Sequence, residues 1–135
     1  MTIELHRSNP GATAQTIRIG NYTLTADMTL EEGGADEGPS PHDLYDAALG
    51  ACKALTMLWY ANKKGIPVED VRTSVVRDSS AERNGVYKLA TTLQVGGQLS
   101  DAQLAELETI VGKCPIHKLM TTVTTEITSK VERLA

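Results

Sequence analysis

The sequence of 135 residues has no phenylalanine, one tryptophan and two cysteines. Two cysteines are too few for the disulfide framework of a small secreted domain, so they point to redox chemistry, metal binding or buried apolar thiols. Because aromatic residues are scarce, we expect a core made mostly of Leu, Ile, Val, Ala and threonine methyl groups. The length suits one domain over residues 1–135 with a core of its own.

Positive charge is not in excess, since the sequence has 13 basic and 17 acidic residues and a net charge of -4. No basic stripe is present, so nucleic acid is not an expected partner. The N-terminus lacks the basic and apolar regions of a signal peptide, and Lys53 interrupts the most hydrophobic segment. Neither a leader nor a membrane span is predicted, and we expect a cytoplasmic protein with no membrane partner.

One stretch, residues 40–65, predicts a long helix with clear ends. Ser40 and Asp43 form a capping box around Pro41, and Gly65 suits the left-handed position after the last turn. The pattern is apolar around most of the circumference. A helix of this length spans about 36 Å, whereas a domain of this size has a radius of gyration of about 14 Å. We therefore expect the helix to pack against a second copy in an obligate homodimer.

The rest of the chain alternates between strand patterns and helix patterns. Strands are predicted over residues 2–7, 13–19, 22–28, 68–79, 86–95 and 121–134, and further helices from Ser100 to Gly112 and over residues 114–120. The strands cluster in hairpins, which predicts an α+β protein with antiparallel sheet against helices. The acidic, glycine-rich residues 31–40 are either a solvated connector or the rim of a site.

The two cysteines occupy different predicted environments. Cys52 lies in the middle of the long helix, where a cysteine is usually a small buried hydrophobe. Cys114 lies at a predicted N-cap beside Lys113, where backbone N–H groups and positive charge favour a thiolate. It is either a functional thiol or a structural cap. No CxxC motif links the pair, so only the fold could bring the two sulfurs together.

Histidines accompany the cysteines. His117 follows Cys114 by three residues on the same helical face, where it could tune the thiol, bind a metal or simply be exposed. Cys52, Cys114, His117 and His42 could in principle hold zinc. Their spacing matches no zinc pattern, so we expect no metal.

The segment GPSPHDLYDAALGAC ends at Cys52, and the segment CPIHKLM begins at Cys114. Together they resemble the OsmC/Ohr family, named for osmotically inducible protein C and organic hydroperoxide resistance protein. The resemblance covers nearly the whole chain. It implies an OsmC-like fold, in which antiparallel sheets wrap around long central helices in an intertwined homodimer with sites at the subunit interface.

The resemblance also implies a chemistry, the reduction of organic hydroperoxides in an oxidative stress response. Cys52 would attack the hydroperoxide and become a sulfenic acid, and Cys114 would resolve it as a disulfide. An external dithiol reductant, such as a lipoyl-protein, would restore the thiols without a bound cofactor. An arginine on an early strand assists the thiolate in such proteins, and Arg18 is the candidate here. A strand arginine that is directed inward is a natural partner for a thiolate, although such an arginine can also be solvated.

The sequence departs from the family at His42, where related proteins place a glutamate that pairs with the arginine. We therefore take His42 and His117 as candidate substrate contacts. Leu49 and Met57 are further candidates, because an apolar interface favours alkyl or aryl hydroperoxides. The alternative function is a dimeric binding or stress-related protein with little or no peroxidase turnover and an apolar pocket at its interface.

Overall fold

The structure, a computed structural model, describes residues 1–135. Its elements are β1 (Ile3–Arg7), β2 (Gln15–Ile19), β3 (Tyr22–Ala26), α1 (Pro41–Lys64), β4 (Asp70–Asp78), a 3-10 turn (Glu82–Asn84), β5 (Lys88–Gly96), α2 (Asp101–Val111) and α3 (Pro115–Thr121). One sheet has the antiparallel order β1-β2-β3, and the second pairs β4 with β5. The predicted α+β class is confirmed. No helix combines the length and apolar character that a membrane span requires.

The chain divides into two compact units. Unit 1 comprises residues 1–50 and 75–91, and unit 2 comprises residues 51–74 and 92–135. The three-stranded sheet belongs to unit 1, whereas α2 and α3 belong to unit 2. The prediction of a single domain stays a prediction.

The predicted strand over residues 121–134 is wrong. α3 ends at Thr121, and residues 124–135 have no regular secondary structure. The apolar alternation is present, but Ile127 is 80% exposed and Val131 is fully exposed. A strand needs a neighbour with which to exchange backbone hydrogen bonds, and this segment joins neither sheet of the chain.

The sheet of unit 1 buries one face of its central strand. Ile17 is 8% exposed and stands opposite Leu5 on β1 and Leu24 on β3. Directly opposed residues share one face of an antiparallel sheet, so these three side chains pack together. Arg18, the next residue, points to the other face opposite Glu4 and is exposed.

The loop that follows this sheet is organised around Asp27, which is only 4% exposed. Its carboxylate accepts hydrogen bonds from the Thr13 hydroxyl at 2.5 Å and from the backbone N–H groups of Met28, Ala35 and Glu37 at 2.7, 3.2 and 3.1 Å. The Thr13 hydrogen bond is the main reason that the pKa of Asp27 lies below its usual value. The predicted connector is therefore a loop tied at several points to one carboxylate.

The ends of α1 are those that the sequence predicts. The Ser40 hydroxyl accepts from the Asp43 N–H at 3.1 Å, and the Asp43 carboxylate accepts from the Ser40 N–H at 3.0 Å, which completes the capping box. Gly65 has φ +68°, the left-handed conformation that ends many helices. The Ile66 N–H then donates to the Ala61 carbonyl at 2.9 Å. The prediction of both ends is confirmed.

The core of unit 2 joins α1 to α2. Met57, Ala61, Ile66 and Leu107 are between 1% and 7% exposed. Side chains packed against this cluster include Tyr60, Val68, Val71, Leu93, Val95, Leu99 and Val111. The core is almost entirely aliphatic, as the shortage of aromatic residues predicts. Ser100 and Gln103 form the predicted capping box at the start of α2.

We expect Leu107→Ala to lower the free energy of unfolding by about 2–5 kcal/mol, because it removes a fully enclosed side chain from this core. Urea unfolding at fixed protein concentration measures the loss. The matched control is Leu30→Ala, since Leu30 is 72% exposed, and its effect should stay within about 0.5 kcal/mol. Equal losses in the two variants would contradict this view of the core.

We expect Thr13→Val to raise the pKa of Asp27 and to make the protein less sensitive to acid. A carboxyl whose pKa is lower in the folded state stabilises the fold above its unfolded pKa of about 4, and that stabilisation disappears as the pH falls through the folded pKa. Removing the main cause of the shift reduces the difference in unfolding free energy between neutral and acidic pH. Carbon-detected NMR titration of Asp27 measures the pKa, and Thr23→Val on exposed β3 is the control. If the pKa of Asp27 is unchanged in Thr13→Val, the Thr13 hydrogen bond is not the main cause of the lowered pKa.

Candidate thiol site

Unit 2 brings the two cysteines together. Cys52 lies on α1 and is partly buried, whereas Cys114 immediately precedes α3 and is 0% exposed. Both are free thiols, and the Cys52 side chain interacts with the Cys114 thiol, since it helps to raise the pKa of that thiol. Two residues far apart in sequence thus belong to one site.

Cys114 is the N-cap of α3, as the sequence predicts. Its backbone is extended, Pro115 follows at the first helical position, and its Sγ accepts a hydrogen bond from the His117 N–H at 3.3 Å. Sulfur is a weak acceptor when it is protonated and a better one as a thiolate. The cap therefore holds the sulfur in place and favours its anionic form.

Burial outweighs that effect, because removing the Cys114 thiol from water raises its pKa above the usual value. The His117 N–H opposes the rise, the neighbouring Cys52 thiol adds to it, and the charge of Lys53 opposes it. At neutral pH Cys114 therefore rests as a protonated thiol.

Lys53 is a charged residue of this site that the sequence patterns did not identify as a candidate. Its side chain is buried, with 5% of the residue exposed, and its ammonium donates to the Val111 carbonyl at 2.8 Å. The same Nζ lies 3.0 Å from Nδ1 of His117. The available signal was a charged residue directly after Cys52 on a helix that is apolar around most of its circumference. Such a charge must either reach water or find partners inside the protein.

The predicted substrate contacts occupy several settings. His117 belongs to the thiol site through its backbone N–H and its ring. Met57 lies in the core of unit 2, and Leu49 is a buried residue of unit 1 at 6% exposure. Arg18 lies in unit 1 at an exposed position of β2. The roles of these residues toward a substrate or a thiolate stay predictions.

His42 lies in the first turn of α1, in unit 1. Its Nε2 is 3.1 Å from the carboxylate of Glu82, and its ring meets that of Tyr87 edge-on with centroids 5.9 Å apart. Both His42 and Tyr87, with Pro41, Tyr45 and Glu82, line a shallow cleft. The position at which the family resemblance implies a glutamate thus carries a histidine that itself binds a glutamate.

An arginine–carboxylate network lies beside this histidine in unit 1. Arg77 on β4 donates from Nε to Asp46 at 2.5 Å and from Nη2 to Asp43 at 2.6 Å. The buried Asp46 also accepts from the Tyr87 hydroxyl at 2.6 Å. The hydrogen bond from Arg77 lowers the pKa of Asp43, and burial raises the pKa of Tyr87. The arginine that pairs with carboxylates at the start of α1 therefore comes from β4.

A cleft of about 660 Å³ adjoins the network in unit 1. Its walls include Glu32, Asp36 and Glu37 from the loop before α1 together with His42 and Arg77. Residues of the loop over 31–40 thus line part of this cleft, and the role of the loop at a site stays a prediction. No group of three or more His, Cys, Asp or Glu side chains is placed to hold a metal ion.

Comparison with protein families matches residues 33–130 to the family described as OsmC-like protein. The chain belongs to this family. A comparison with curated proteins finds no match.

Solved structures share the fold. One is an OsmC-like protein from Mycoplasma pneumoniae, with 19% identity, a TM-score of 0.70 and coverage of 90% of this chain and 87% of the other. Another is an organic hydroperoxide resistance protein OsmC from Legionella pneumophila, with 23% identity, a TM-score of 0.62 and coverage of 90% and 88%. The organic hydroperoxide resistance protein OhrB of Bacillus subtilis has 21% identity, a TM-score of 0.60 and coverage of 90% and 92%. The predicted OsmC-like fold of the chain is confirmed, and the homodimer stays a prediction.

We expect iodoacetamide to alkylate Cys114 slowly in the folded protein at neutral pH, because the thiol is enclosed and its raised pKa keeps the thiolate fraction low. Mass spectrometry of the Cys52→Ser variant follows Cys114 alone. Unfolding in urea should accelerate its alkylation by at least about tenfold, since the thiolate is the reactive form. The Cys114→Ser variant, which retains the partly exposed Cys52, is the comparison. Equal alkylation of Cys114 with and without urea would refute the enclosed thiol.

Proposed function

We propose that this chain is a thiol-dependent peroxidase that reduces organic hydroperoxides. The observation that carries the proposal is the interaction of the Cys52 side chain with the Cys114 thiol within unit 2. Two relatives of the same fold are named for organic hydroperoxide resistance, which supports the substrate class.

In the first step, Cys52 is the attacking thiolate. Its sulfur attacks the outer oxygen of the hydroperoxide, the S–O bond forms and the O–O bond breaks. The alkoxide leaves and takes up a proton to become the alcohol, while Cys52 is oxidised to a sulfenic acid. Cys52 suits this role better than Cys114, because Cys52 is partly exposed and Cys114 is enclosed.

In the second step, Cys114 resolves the sulfenic acid. Its sulfur attacks the sulfur of Cys52, so the S–S bond forms and the S–O bond breaks, and hydroxide leaves as water after it gains the proton of the Cys114 thiol. A dithiol such as a lipoyl-protein then reduces the disulfide by two thiol–disulfide exchanges. The cycle needs no bound cofactor. Arg18 remains our proposed aid to the Cys52 thiolate.

We also propose that the chain acts as a homodimer. The part of α1 in unit 2 exposes a group of large apolar side chains. Leu55 is 65% exposed, Leu58 is 43% exposed and Trp59 is 61% exposed. Apolar side chains clustered on one surface usually mark an interaction site. A second copy of α1 is the partner that the family resemblance implies.

A binding protein with little turnover is the second candidate. The observation that favours it is the cleft of about 410 Å³ in unit 1, lined by Pro41, His42, Tyr45, Glu82 and Tyr87. In this cleft the ring of Tyr87 meets the rings of His42 and Tyr45 edge-on, with centroids 5.9 and 6.1 Å apart. Such walls suit a planar apolar ligand.

Steady-state assays with cumene hydroperoxide and a dithiol distinguish the two functions. We expect turnover in the unsubstituted protein and a loss of at least about a hundredfold in Cys52→Ser, because the attacking nucleophile is removed. Cys114→Ser should still consume one equivalent of peroxide and should accumulate a sulfenic acid that dimedone traps. An absence of turnover in the unsubstituted protein with every peroxide and dithiol tried would reject the peroxidase and favour the binding protein.

A further inference from the structure

Lys53 is a buried cation without a carboxylate partner. The basic residues that form ion pairs are His42, Arg72, Arg77 and Lys130. The ammonium of Lys53 is bound by a neutral carbonyl, that of Val111, and by a ring nitrogen of His117. Removing an ammonium from water is costly unless an anion compensates it. A lysine in this setting is explained if an anion forms next to it during the protein's work.

The ring of His117 does not supply that anion. An ammonium can only donate hydrogen bonds, so the contact at 3.0 Å fits the His117 tautomer in which Nδ1 accepts the hydrogen bond from Lys53. The backbone N–H of His117 donates to Sγ of Cys114. One residue thus binds the ammonium through its ring and the thiol through its backbone.

The thiol of Cys114 is the acidic group on which the charge of Lys53 acts, since that charge opposes the effect of burial on the pKa of this cysteine. Lys113, which precedes Cys114 in sequence, is exposed. An exposed ammonium is screened by water and salt, whereas a buried one is screened much less. The position of Lys53, rather than sequence proximity, determines which lysine influences the thiol.

We propose that Lys53 is a positioning residue that acts as the counter-ion of the Cys114 thiolate while this sulfur attacks oxidised Cys52. The proposal deepens the function of the same site and rests on it for the identity of the oxidised partner. The geometric basis is the buried ammonium, its two neutral partners and the link through His117 to Cys114.

In the resolving step, Lys53 keeps its protons. The Cys114 thiol releases its proton, its sulfur forms the S–S bond, and the S–O bond of the Cys52 sulfenic acid breaks. The departing hydroxide takes up the proton that Cys114 released and leaves as water. Negative charge therefore lies on Cys114 only between deprotonation and bond formation. A fixed ammonium lowers the free energy of that interval and leaves the resting thiol protonated, because burial dominates when no charge has formed.

The first test measures Cys114 without any peroxide chemistry. In a Cys52→Ser background, we expect Lys53→Met to lower the rate of Cys114 alkylation by iodoacetamide by about tenfold at a fixed pH, because loss of the ammonium lowers the thiolate fraction of Cys114. Lys53→Arg, which retains the charge, should keep most of the rate. The matched control is Lys113→Met, which removes an exposed charge next to Cys114 and should change the rate less than about twofold.

The second test follows resolution in the protein with both cysteines. After one equivalent of cumene hydroperoxide, dimedone should trap more of the Cys52 sulfenic acid in Lys53→Met than in the unsubstituted protein. The rate at which the peroxide itself is consumed should change far less, since Lys53 acts through Cys114. A structural role for Lys53 alone would lower both rates together.

The pair His117→Asn and His117→Leu provides a further arm in which Lys53 itself is unchanged. The Asn side chain offers an oxygen acceptor to the ammonium, whereas Leu offers none. We expect Cys114 alkylation to be slower in His117→Leu than in His117→Asn. This arm decides the proposal if Lys53→Met fails to give a native circular dichroism spectrum.

The outcomes separate the two proposals. The role of Lys53 is overturned if Cys114 alkylation is the same in Lys53→Met as in the Lys113→Met control. Where Lys53→Met does not fold, the role is overturned if Cys114 alkylation is the same in His117→Leu as in His117→Asn. Both conclusions hold whatever the peroxidase assay shows. If the unsubstituted protein has no turnover but alkylation falls in Lys53→Met, the proposed function fails and the counter-ion role stands as a property of the thiol.

Discussion

The interaction between the two thiols of unit 2 is the constraint on which the site depends. Cys52 and Cys114 are far apart in sequence, so packing within unit 2 must hold α1 and the start of α3 near each other. The aliphatic core made by Met57, Ala61, Ile66 and Leu107 does part of this by joining α1 to α2. Lys53 adds a polar link, because its ammonium binds the last residue of α2 and a residue of α3. The turns of α1, α2 and α3 that form the core of unit 2 therefore also position the thiol site.

The two units use charge differently. In unit 1, Arg77 is shared between Asp43 and Asp46, so the buried Asp46 has a cation and a tyrosine hydroxyl as partners. In unit 2, the buried Lys53 has only neutral partners. The first arrangement compensates its charges at rest and stabilises local structure, whereas the second leaves a cation uncompensated. An uncompensated buried charge is more informative about function than a paired one, because stability alone does not explain it.

The sequence was most reliable where structure depends on neighbours along the chain. Helix ends follow from local rules, so Ser40 with Asp43, Gly65, Ser100 with Gln103, and Cys114 before Pro115 could all be located in advance. The sequence was least reliable where a partner comes from a distant segment. Lys53 could be read as an interruption of an apolar pattern, but its contacts with Val111 and His117 depend on how α2 and α3 pack. The sequence around Arg77 likewise does not predict that this arginine pairs with carboxylates in the first turns of α1. The strand expected over residues 121–134 failed for the same reason, since alternation describes a side-chain pattern and does not supply a neighbouring strand.

The different burial of the two cysteines has a consequence for the order of events. Cys114 is kept from solvent and protonated, and a protonated sulfur reacts poorly with electrophiles. Any small oxidant or alkylating molecule that approaches the pair therefore meets Cys52 first. The enclosed Cys114 is thereby shielded from such reagents, so the pair does not lose both thiols to one encounter.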